Sequence, residues 1–545
     1  MGERLDDGES KVRAGGLVLK EELGYGREVS DGWADHEQLG LWRDFRETTM
    51  LGTLTSYLPP TCFHPSMALK NPLFRLSNGF TILTPVAIYS SSIYQGRTYS
   101  VKALYGIAQA LKVTKSKPPD AEALTVTKSK PEFVCPTMKT YDGFYYLSPF
   151  DEALMGPLDI LFSFEMDGKR TENLFETIKQ ALAKALVHFY PLAGRFKQDP
   201  DGRFVVKCIG EGVPFVEAVA NCDLGEFGDF TIPNLPKLRK LIHASNEVKN
   251  PLDVPPFAVQ VTRFKCGGFV LGIATNHSIC DGAALMAFMK SWADLARGLP
   301  LSVPPFLDRS IMKPRQLLNN ISPTREDVSK VPLIRRDVQS VFKSFCFDPK
   351  KLMHLKKIAM EDGNIKKVTD FELIIAFMWC ARTKALKINI AEPSKLLIAI
   401  DGRKRLGSSL PKGYFGNAIY VPGCECSAGE LIERPLSFAV DQMKSAIESV
   451  PIQSLNDYIE AASRKIPLDE AIVGNKWSRL PSNDIDFGWG SPKQFTNASP
   501  QKEIAIVHAQ SKDSKNKILT LGLPPPDMKA FEEVMESEMG MRACI

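Results

Sequence analysis

The sequence predicts an α/β fold built from two halves with mixed sheets. Helix-like and strand-like patterns alternate along residues 126–545 without a strict βαβ order, which argues against a single Rossmann array. A proline-rich, polar stretch at 299–340 separates the two halves. A chain of 545 residues is also long enough for more than one domain. These observations favour two α/β domains joined by a crossover loop.

The beginning of the chain differs from the rest. Charged residues crowd the first 50 positions, and no helical or strand period persists before residue 126. The hexapeptide at 113–118 recurs at 126–131, an echo too short for a solenoid repeat. We therefore divide the chain into an atypical, poorly ordered extension (1–125), an N-terminal domain (126–320), a crossover region (321–345) and a C-terminal domain (346–545).

The first half contains an amphipathic helix and a series of strands. Apolar residues recur at helical spacing over 173–189, and Pro191 follows as a typical helix boundary. Four strand-like runs come after it, the last two separated by a turn that contains two glycines: Phe204–Cys208, Val213–Glu217, Phe257–Phe264 and Phe269–Ala274. The last two runs are expected to form a hairpin.

The second half begins with a helix whose start is marked by a capping box at Thr369. A buried strand is expected at Leu396–Ile400. The apolar runs Ile504–His508 and Ile518–Leu521 flank a polar turn, so they are expected to pair. A final helix is expected after Pro526.

The hexapeptide His277–Gly282 follows the predicted hairpin directly. Apolar residues after Asp281 fall at helical spacing, so His277 should lie where a strand ends and a helix begins. Histidine titrates near neutrality and can take a proton from a hydroxyl or amine. A lone histidine can equally be a satisfied core residue. A metal site is disfavoured, because none of the other six histidines lies near His277 in sequence.

Composition excludes several classes of function. The 68 basic and 63 acidic residues give a net charge of +5, too balanced for a nucleic-acid-binding protein. The longest early apolar run, Phe80–Tyr89, is too short to span a bilayer, and the N-terminus lacks a signal-peptide pattern. The eleven cysteines are scattered and odd in number, as expected for reduced thiols in the cytoplasm.

A second motif gives the first one its meaning. The pentapeptide Asp486-Phe487-Gly488-Trp489-Gly490 lies about 200 residues after His277-x-x-x-Asp281-Gly282. Together the two motifs resemble the paired signature of the plant BAHD acyltransferases. The resemblance covers roughly residues 126–540. Three further stretches contribute to it: Tyr190–Arg195, Gln260–Gly268 and Gly413–Asn417.

The resemblance implies a fold and a reaction. The fold is a pair of chloramphenicol acetyltransferase-like domains with a channel at their interface. An acyl-CoA thioester is the co-substrate, and an alcohol or amine is the acceptor. The family uses no metal, no permanently bound cofactor and no acyl-enzyme. We expect a cytoplasmic monomer that binds small molecules, without a nucleic-acid partner or a membrane span.

The resemblance also suggests roles for the motif residues. His277 is the candidate general base. Asp281 belongs to the catalytic motif, although a helix-capping role paired with Arg403 is the preferred interpretation. Asp486 is likewise a candidate catalytic residue by its carboxylate. The two glycines and two aromatic residues around it better suit a tight structural turn.

The acceptor remains open at this point. The stretch Ile398–Arg403, together with Gly413–Asn417, most resembles the hydroxycinnamoyl transferases, including those that act on ω-hydroxy fatty acids or fatty alcohols. Ile485 precedes the second motif, and an apolar residue there favours an apolar acceptor. Two alternatives remain: a catalytically silent scaffold of the same fold, and a condensation-domain-like enzyme that forms amides. Condensation domains usually have a second histidine where this chain has Asn276.

Overall fold

The computed structural model describes residues 124–544 apart from five gaps, together with two short strands before them. The gaps are 167–171, 244–254, 313–339, 450–453 and 464–470. Residues 1–119 and 120–545 form two separate compact units. In the first unit, the described part is the antiparallel pair β1 (Phe74–Arg75) and β2 (Thr81–Ile82). The order expected for residues 1–125, the first copy of the hexapeptide and most of the crossover region therefore lie outside the described residues.

Two large mixed sheets organise the second unit. The remaining strands in chain order are β3 (Val126–Lys128), β4 (Glu132–Val134), β5 (Gly143–Tyr146), β6 (Pro157–Phe164), β7 (Arg195–Gln198), β8 (Phe204–Cys208), β9 (Val213–Ala220), β10 (Phe257–Arg263), β11 (Phe269–Asn276), β12 (Val341–Phe347), β13 (Pro393–Asp401), β14 (Ile419–Tyr420), β15 (Gly423–Ser427), β16 (Ile472–Lys476), β17 (Gln494–Asn497), β18 (Ile504–Ala509) and β19 (Lys517–Leu523). The first sheet has the order β17-β6-β11-β10-β9-β3, with β4 also paired to β9. The second has the order β12-β19-β18-β16-β13-β14, with β15 also paired to β13.

Both sheets combine parallel and antiparallel pairs, as the sequence predicts. In the first sheet β10 runs parallel to β9 and antiparallel to β11. In the second, β16 runs parallel to both β13 and β18. A smaller antiparallel sheet has the order β5-β8-β7.

One strand of the second half joins the first sheet. Strand β17 pairs antiparallel with β6, with Phe495 opposite Phe162. The two rings stack with their centroids 6.0 Å apart. This strand lies inside the segment 346–545 that the sequence assigns to the C-terminal domain, so the first sheet is completed by chain from both halves.

The helices cover the sheets and contribute to the two largest apolar cores of the described residues. They are α1 (Pro149–Ala153), α2 (Leu174–His188), α3 (Leu224–Phe227), α4 (Leu235–Leu238), α5 (Gly282–Ala296), α6 (Pro349–Met360), α7 (Asp370–Ala385), α8 (Arg403–Leu406), α9 (Ala428–Glu433), α10 (Leu436–Glu448), α11 (Leu455–Ser463) and α12 (Pro525–Met539). Short 3₁₀ turns lie at Tyr190–Ala193, Arg239–Leu241, Ser310–Met312, Gly407–Ser409 and Ser482–Asp484. Helices α2 and α5 contribute to the core on the first sheet, and α7 is buried almost all round in the core of the second.

The predicted elements are confirmed, with small shifts at their ends. The hairpin of β10 and β11 pairs Phe257 with Thr275. The capping box forms as expected, because the Thr369 hydroxyl accepts from the Glu372 amide and the Glu372 carboxylate accepts from the Thr369 amide. Strand β9 extends to Ala220, beyond its predicted end, because its last residues pair with β3 and β10.

Candidate active site

His277 follows the last residue of β11 and precedes the first turn of α5. Its backbone amide donates to the carbonyl of Gly156 at 2.8 Å, which fixes the loop to the start of β6. Ser278, Ile279 and Cys280 are completely buried, whereas His277 is only half-buried. The buried loop residues therefore hold a histidine that is itself only partly buried, at the strand–helix junction that the sequence predicts.

Asn417 holds the imidazole from the second half of the chain. The His277 Nδ1 atom lies 3.1 Å from the Asn417 Oδ1 atom. The Asn417 Nδ2 atom also donates to the His277 carbonyl at 2.8 Å, so one amide contacts both the ring and the backbone of the same residue. Sequence reasoning missed this contact. The stretch Gly413–Asn417 is part of the family resemblance and could have pointed to this contact, but the sequence assigns no role to Asn417.

Asp281 caps helix α5 and pairs with Arg403. Its Oδ1 accepts from the Ala284 amide at 2.9 Å, and its Oδ2 accepts from the Ala418 amide and from Arg403 Nη1, both at 2.8 Å. The carboxylate is 2% exposed. Its contacts are therefore with the helix and the second half of the chain, as expected for a structural aspartate.

The charge state of Asp281 follows from these partners. Burial by itself raises the pKa of a carboxyl group, but the Arg403 guanidinium and the amides of Ala284 and Ala418 outweigh burial and lower the pKa of Asp281. Arg403 also donates to Asp401 at 2.9 Å and to the Gly416 carbonyl at 2.9 Å. The ion pair thus ties the start of α5 to two loops of the second half.

The second motif lies at the opposite end of α5. Asp486 Oδ1 accepts from the amides of Gly488 and Gly490 at 2.8 and 2.7 Å, which closes a tight turn. Its Oδ2 is 3.9 Å from Arg297, the C-terminal cap residue of α5. A helix of 15 residues is about 22 Å long. The structure therefore does not bring Asp486 to His277.

The aromatic residues of this motif pack into the first core. Phe487 is buried, with its ring edge-on to Trp292 at 5.2 Å and to Phe164 at 6.1 Å. Trp489 is edge-on to Phe269 at 5.8 Å. Ile485 is completely buried in the same core. The side chain of Ile485 has no exposed surface in this structure, so any preference for an apolar acceptor does not come from a surface contact of this residue.

A cavity of about 730 Å³ lies beside α5. Its wall includes Ala283, Ala287 and Lys290 from the helix and Lys412 and Tyr414 from the loop before Asn417. Arg403 also lines it. His277 is not part of this wall. Tyr414, however, lies only three residues before Asn417, whose side-chain amide contacts the His277 ring. A volume of this size suits a small organic ligand.

Among the described residues, no group of three or more His, Cys, Asp or Glu side chains is arranged to hold a metal ion. No helix within the described ranges is both long and apolar enough to cross a bilayer.

The chain is similar to known acyltransferases over most of its length. A model of the Transferase family matches residues 124–538. Omega-hydroxypalmitate O-feruloyl transferase of Arabidopsis thaliana is 41% identical over 412 residues, covering 73% of this chain and 90% of the relative. Fatty alcohol:caffeoyl-CoA acyltransferase of the same plant is 39% identical over 414 residues, covering 74% and 96%.

Solved structures support the same fold. Vinorine synthase aligns with a TM-score of 0.61 at 22% identity, covering 74% of this chain and 96% of that one. TRI101 of F. sporotrichioides, solved with Coenzyme A and T-2, aligns with a TM-score of 0.58 at 18% identity, covering 74% and 100%. With the family match and these relatives, the chain belongs to the BAHD acyltransferases of the Transferase family.

Proposed function

We propose that this protein transfers a hydroxycinnamoyl group from CoA to the hydroxyl of a long-chain ω-hydroxy acid or fatty alcohol. The observation that carries the proposal is the partly buried His277, oriented by Asn417, in a chain 41% and 39% identical to transferases with those acceptors in their names. Shikimate O-hydroxycinnamoyltransferase of Nicotiana tabacum is 33% identical, so a shikimate-type acceptor is the less favoured choice.

In the proposed reaction His277 acts as a general base. Its Nε2 atom takes the proton of the acceptor hydroxyl while the oxygen attacks the thioester carbonyl. The tetrahedral intermediate then collapses, the carbon–sulfur bond breaks, and the proton on Nε2 passes to the departing CoA thiolate. General-base catalysis of this kind contributes about 10²–10⁴-fold in rate.

The two motif aspartates take structural roles in this proposal. The Asp281 carboxylate accepts hydrogen bonds from the first turn of α5, from the Ala418 amide and from Arg403. Asp486 closes the turn with Gly488 and Gly490 at the far end of the same helix. Neither carboxylate then exchanges a proton with substrate, and His277 carries the acid–base chemistry alone.

The cavity beside α5 is our candidate for the acyl-CoA side of the site. The small side chains of Ala283 and Ala287 leave room for a narrow pantetheine-like chain. Lys412 is exposed at its wall and can meet a phosphate in solution. Lys290 is already paired with Asp294 at 2.6 Å, so Lys412 is the better candidate for phosphate contact.

Activity with matched donors and acceptors tests the proposed function. Purified protein is incubated with feruloyl-CoA, caffeoyl-CoA or malonyl-CoA and with ω-hydroxypalmitate, a fatty alcohol, shikimate or an amine, while free thiol is measured. We expect the fastest thiol release with a hydroxycinnamoyl donor and a long-chain alcohol, and its loss by about 10²–10⁴-fold in His277→Ala. Thiol release from no pair would favour the silent scaffold, and a preference for amines would favour the amide-forming alternative.

The donor assignment has its own matched variants. Lys412→Ala should raise the KM for acyl-CoA and leave the KM for the alcohol unchanged. Lys404→Ala removes an exposed lysine from the neighbouring α8 that does not line the cavity, and should change neither constant. Equal effects of the two substitutions would overturn the assignment of this cavity to the donor. We also propose that the enzyme is a monomer in the cytoplasm. Analytical sedimentation tests the first point and cell fractionation the second.

A further inference from the structure

A buried ion pair lies behind Asn417, outside the motifs that the sequence singles out. Asp151 in α1 is completely buried, and Arg309 lies 3.6 Å from its Oδ1 atom with 3% of its side chain exposed. The Arg309 guanidinium donates to the Tyr145 hydroxyl at 2.6 Å and lies over the rings of Tyr145 and Tyr414. Charged groups are seldom buried this deeply without a specific arrangement of partners.

Both oxygens of Asp151 are surrounded by donors. Oδ2 accepts from the amide and the hydroxyl of Ser148, at 2.9 and 2.7 Å. Oδ1 accepts from the backbone amide and from the Nδ2 atom of Asn417, at 3.1 and 2.7 Å. With Arg309 adjacent as well, Asp151 is the acceptor in each of these contacts.

The orientation of the Asn417 amide follows from these contacts. Its NH₂ group faces two acceptors, the Asp151 carboxylate and the His277 carbonyl, and neither can donate to it. A flipped amide would bring its oxygen against both of them. The Asn417 Oδ1 atom is therefore directed at His277 Nδ1, and because Oδ1 only accepts, Nδ1 must carry the proton.

We infer that Asp151, held by Arg309, acts through Asn417 as a positioning residue that fixes His277 in the tautomer protonated on Nδ1. The Nε2 atom is then the free base that the reaction needs. The inference rests on the proposed function only for its catalytic consequence, since the tautomer itself is a property of the resting protein. It extends the site by a residue that lies 266 positions from Asn417 in the chain.

Arg309 fixes the same loop a second time. Its Nη2 donates to the carbonyl of Ile279 at 2.7 Å, two residues after His277. The guanidinium also occupies the space beside Gly416, where an added Cβ would lie 1.1 Å from Nη1. A side chain at position 416 and the present position of Arg309 are therefore incompatible, and Gly416 is needed for the arrangement.

Nitrogen NMR of the histidine ring tests the tautomer directly. The full-length protein is labelled with ¹⁵N-histidine, and its seven histidines are compared with those of His277→Ala to identify the His277 signals. At about pH 8, where an ordinary histidine is neutral, we expect one protonated nitrogen, assigned to Nδ1, and one unprotonated Nε2. A ring protonated mainly on Nε2 in the unmodified protein would overturn the inference.

Two substitutions then separate Asp151 and Asn417 from general stability. Asn417→Ala removes the side-chain amide of Asn417. The backbone N–H of the same residue remains and can still donate to Asp151. Asp151→Asn replaces one of the two accepting oxygens with an NH₂ group and removes the negative charge, which weakens the hold on the Asn417 amide. In both we expect a mixture of tautomers and a kcat at least about fivefold lower, since one hydrogen bond is lost, with the KM for both substrates little changed.

Ser344→Ala is the matched control. Its hydroxyl is completely buried and donates to the Thr231 carbonyl at 2.7 Å, in another part of the molecule. It should lower the melting temperature without changing the tautomer or kcat. A change of tautomer in Ser344→Ala as large as in Asp151→Asn would mean that the effect is one of stability. If the NMR result holds but no substrate pair reacts, the proposed function fails and the positioning network stands.

Discussion

The two ends of helix α5 carry the same pair of residue types in different surroundings. At the start, Asp281 is 2% exposed and lies 2.8 Å from Arg403. At the end, Asp486 is 33% exposed and lies 3.9 Å from Arg297. The first aspartate joins two halves of the chain, whereas the second closes a turn within its own pentapeptide. The presence of a carboxylate in a motif therefore does not show what it does; its burial and its hydrogen-bond partners do.

The largest difference is expected for the buried pair. Asp281→Ala leaves the amides of Ala284 and Ala418 without their acceptor and removes one of the two carboxylates that Arg403 contacts. Breaking a buried pair from one side costs about 3–5 kcal/mol, so urea unfolding should show a loss of that size. Turnover should fall as well, because the loop of His277 ends at this residue. A loss of turnover with unchanged unfolding would mean that Asp281 acts in the chemistry instead.

The pH dependence of Asp281→Asn sharpens the same comparison. Burial raises the pKa of Asp281 but Arg403 and two amides lower it further, so the folded-state pKa lies below its ordinary value. The stability contributed by the ionised group is then fully present above about pH 4 and is lost as the pH falls through the lowered folded-state pKa. The free energy of unfolding of the two proteins should therefore converge only in acid. Convergence on raising the pH would contradict this sign.

The turn at the other end is tested through its backbone. Gly488 has a φ of +106°, and the nearest atom to an added Cβ is the Cγ of Arg297 at 3.9 Å. Gly488→Ala therefore introduces backbone strain with little steric overlap, and should cost about 1–3 kcal/mol in unfolding. We expect kcat in the soluble fraction to be unchanged. A fall in kcat at intact stability would bring this turn into the active site.

A smaller effect is expected for Asp486→Ala. The amides of Gly488 and Gly490 lose an acceptor, but the turn is partly exposed and water can replace the carboxylate. The loss should be about 1 kcal/mol, the net contribution of a hydrogen bond or two. Activity per folded molecule, measured after correcting for thermal stability, should match the parent protein, and a loss beyond tenfold would restore Asp486 as a catalytic candidate.

The smallest effect is the coupling between Arg297 and Asp486. At 3.9 Å and with about a third of each side chain exposed, solvent screens this pair, and a double-mutant cycle should give about 0–1 kcal/mol. The corresponding cycle for Arg403 and Asp281 should give a clearly larger coupling. Equal values would remove the distinction between the two ends of α5.

Local patterns in the sequence were sufficient to predict the frame of the site. Alternation placed β10 and β11, and helical spacing after Asp281 placed α5, so the position of His277 at their junction followed. The capping box at Thr369 was equally readable because both partners lie within one turn. Each of these features depends on residues close together in the chain.

The contacts that orient His277 could not be predicted in this way. Asp151, Arg309 and Asn417 come from three distant segments, and no periodic pattern links them. The burial of Ile485 could not be predicted either, because its apolar character alone does not separate a core position from a ligand-facing one. A sequence shows which residues are apolar enough to be buried, but only the fold shows which residues they pack against.

The strand β17 has a consequence for how ligands reach His277. It belongs to the later half of the chain but is hydrogen-bonded along β6 in the earlier one. The two halves are therefore joined by main-chain hydrogen bonds, and a hinge motion that separated them would have to break the pairing of β6 with β17. We therefore expect reactants to reach His277 without separation of the two halves.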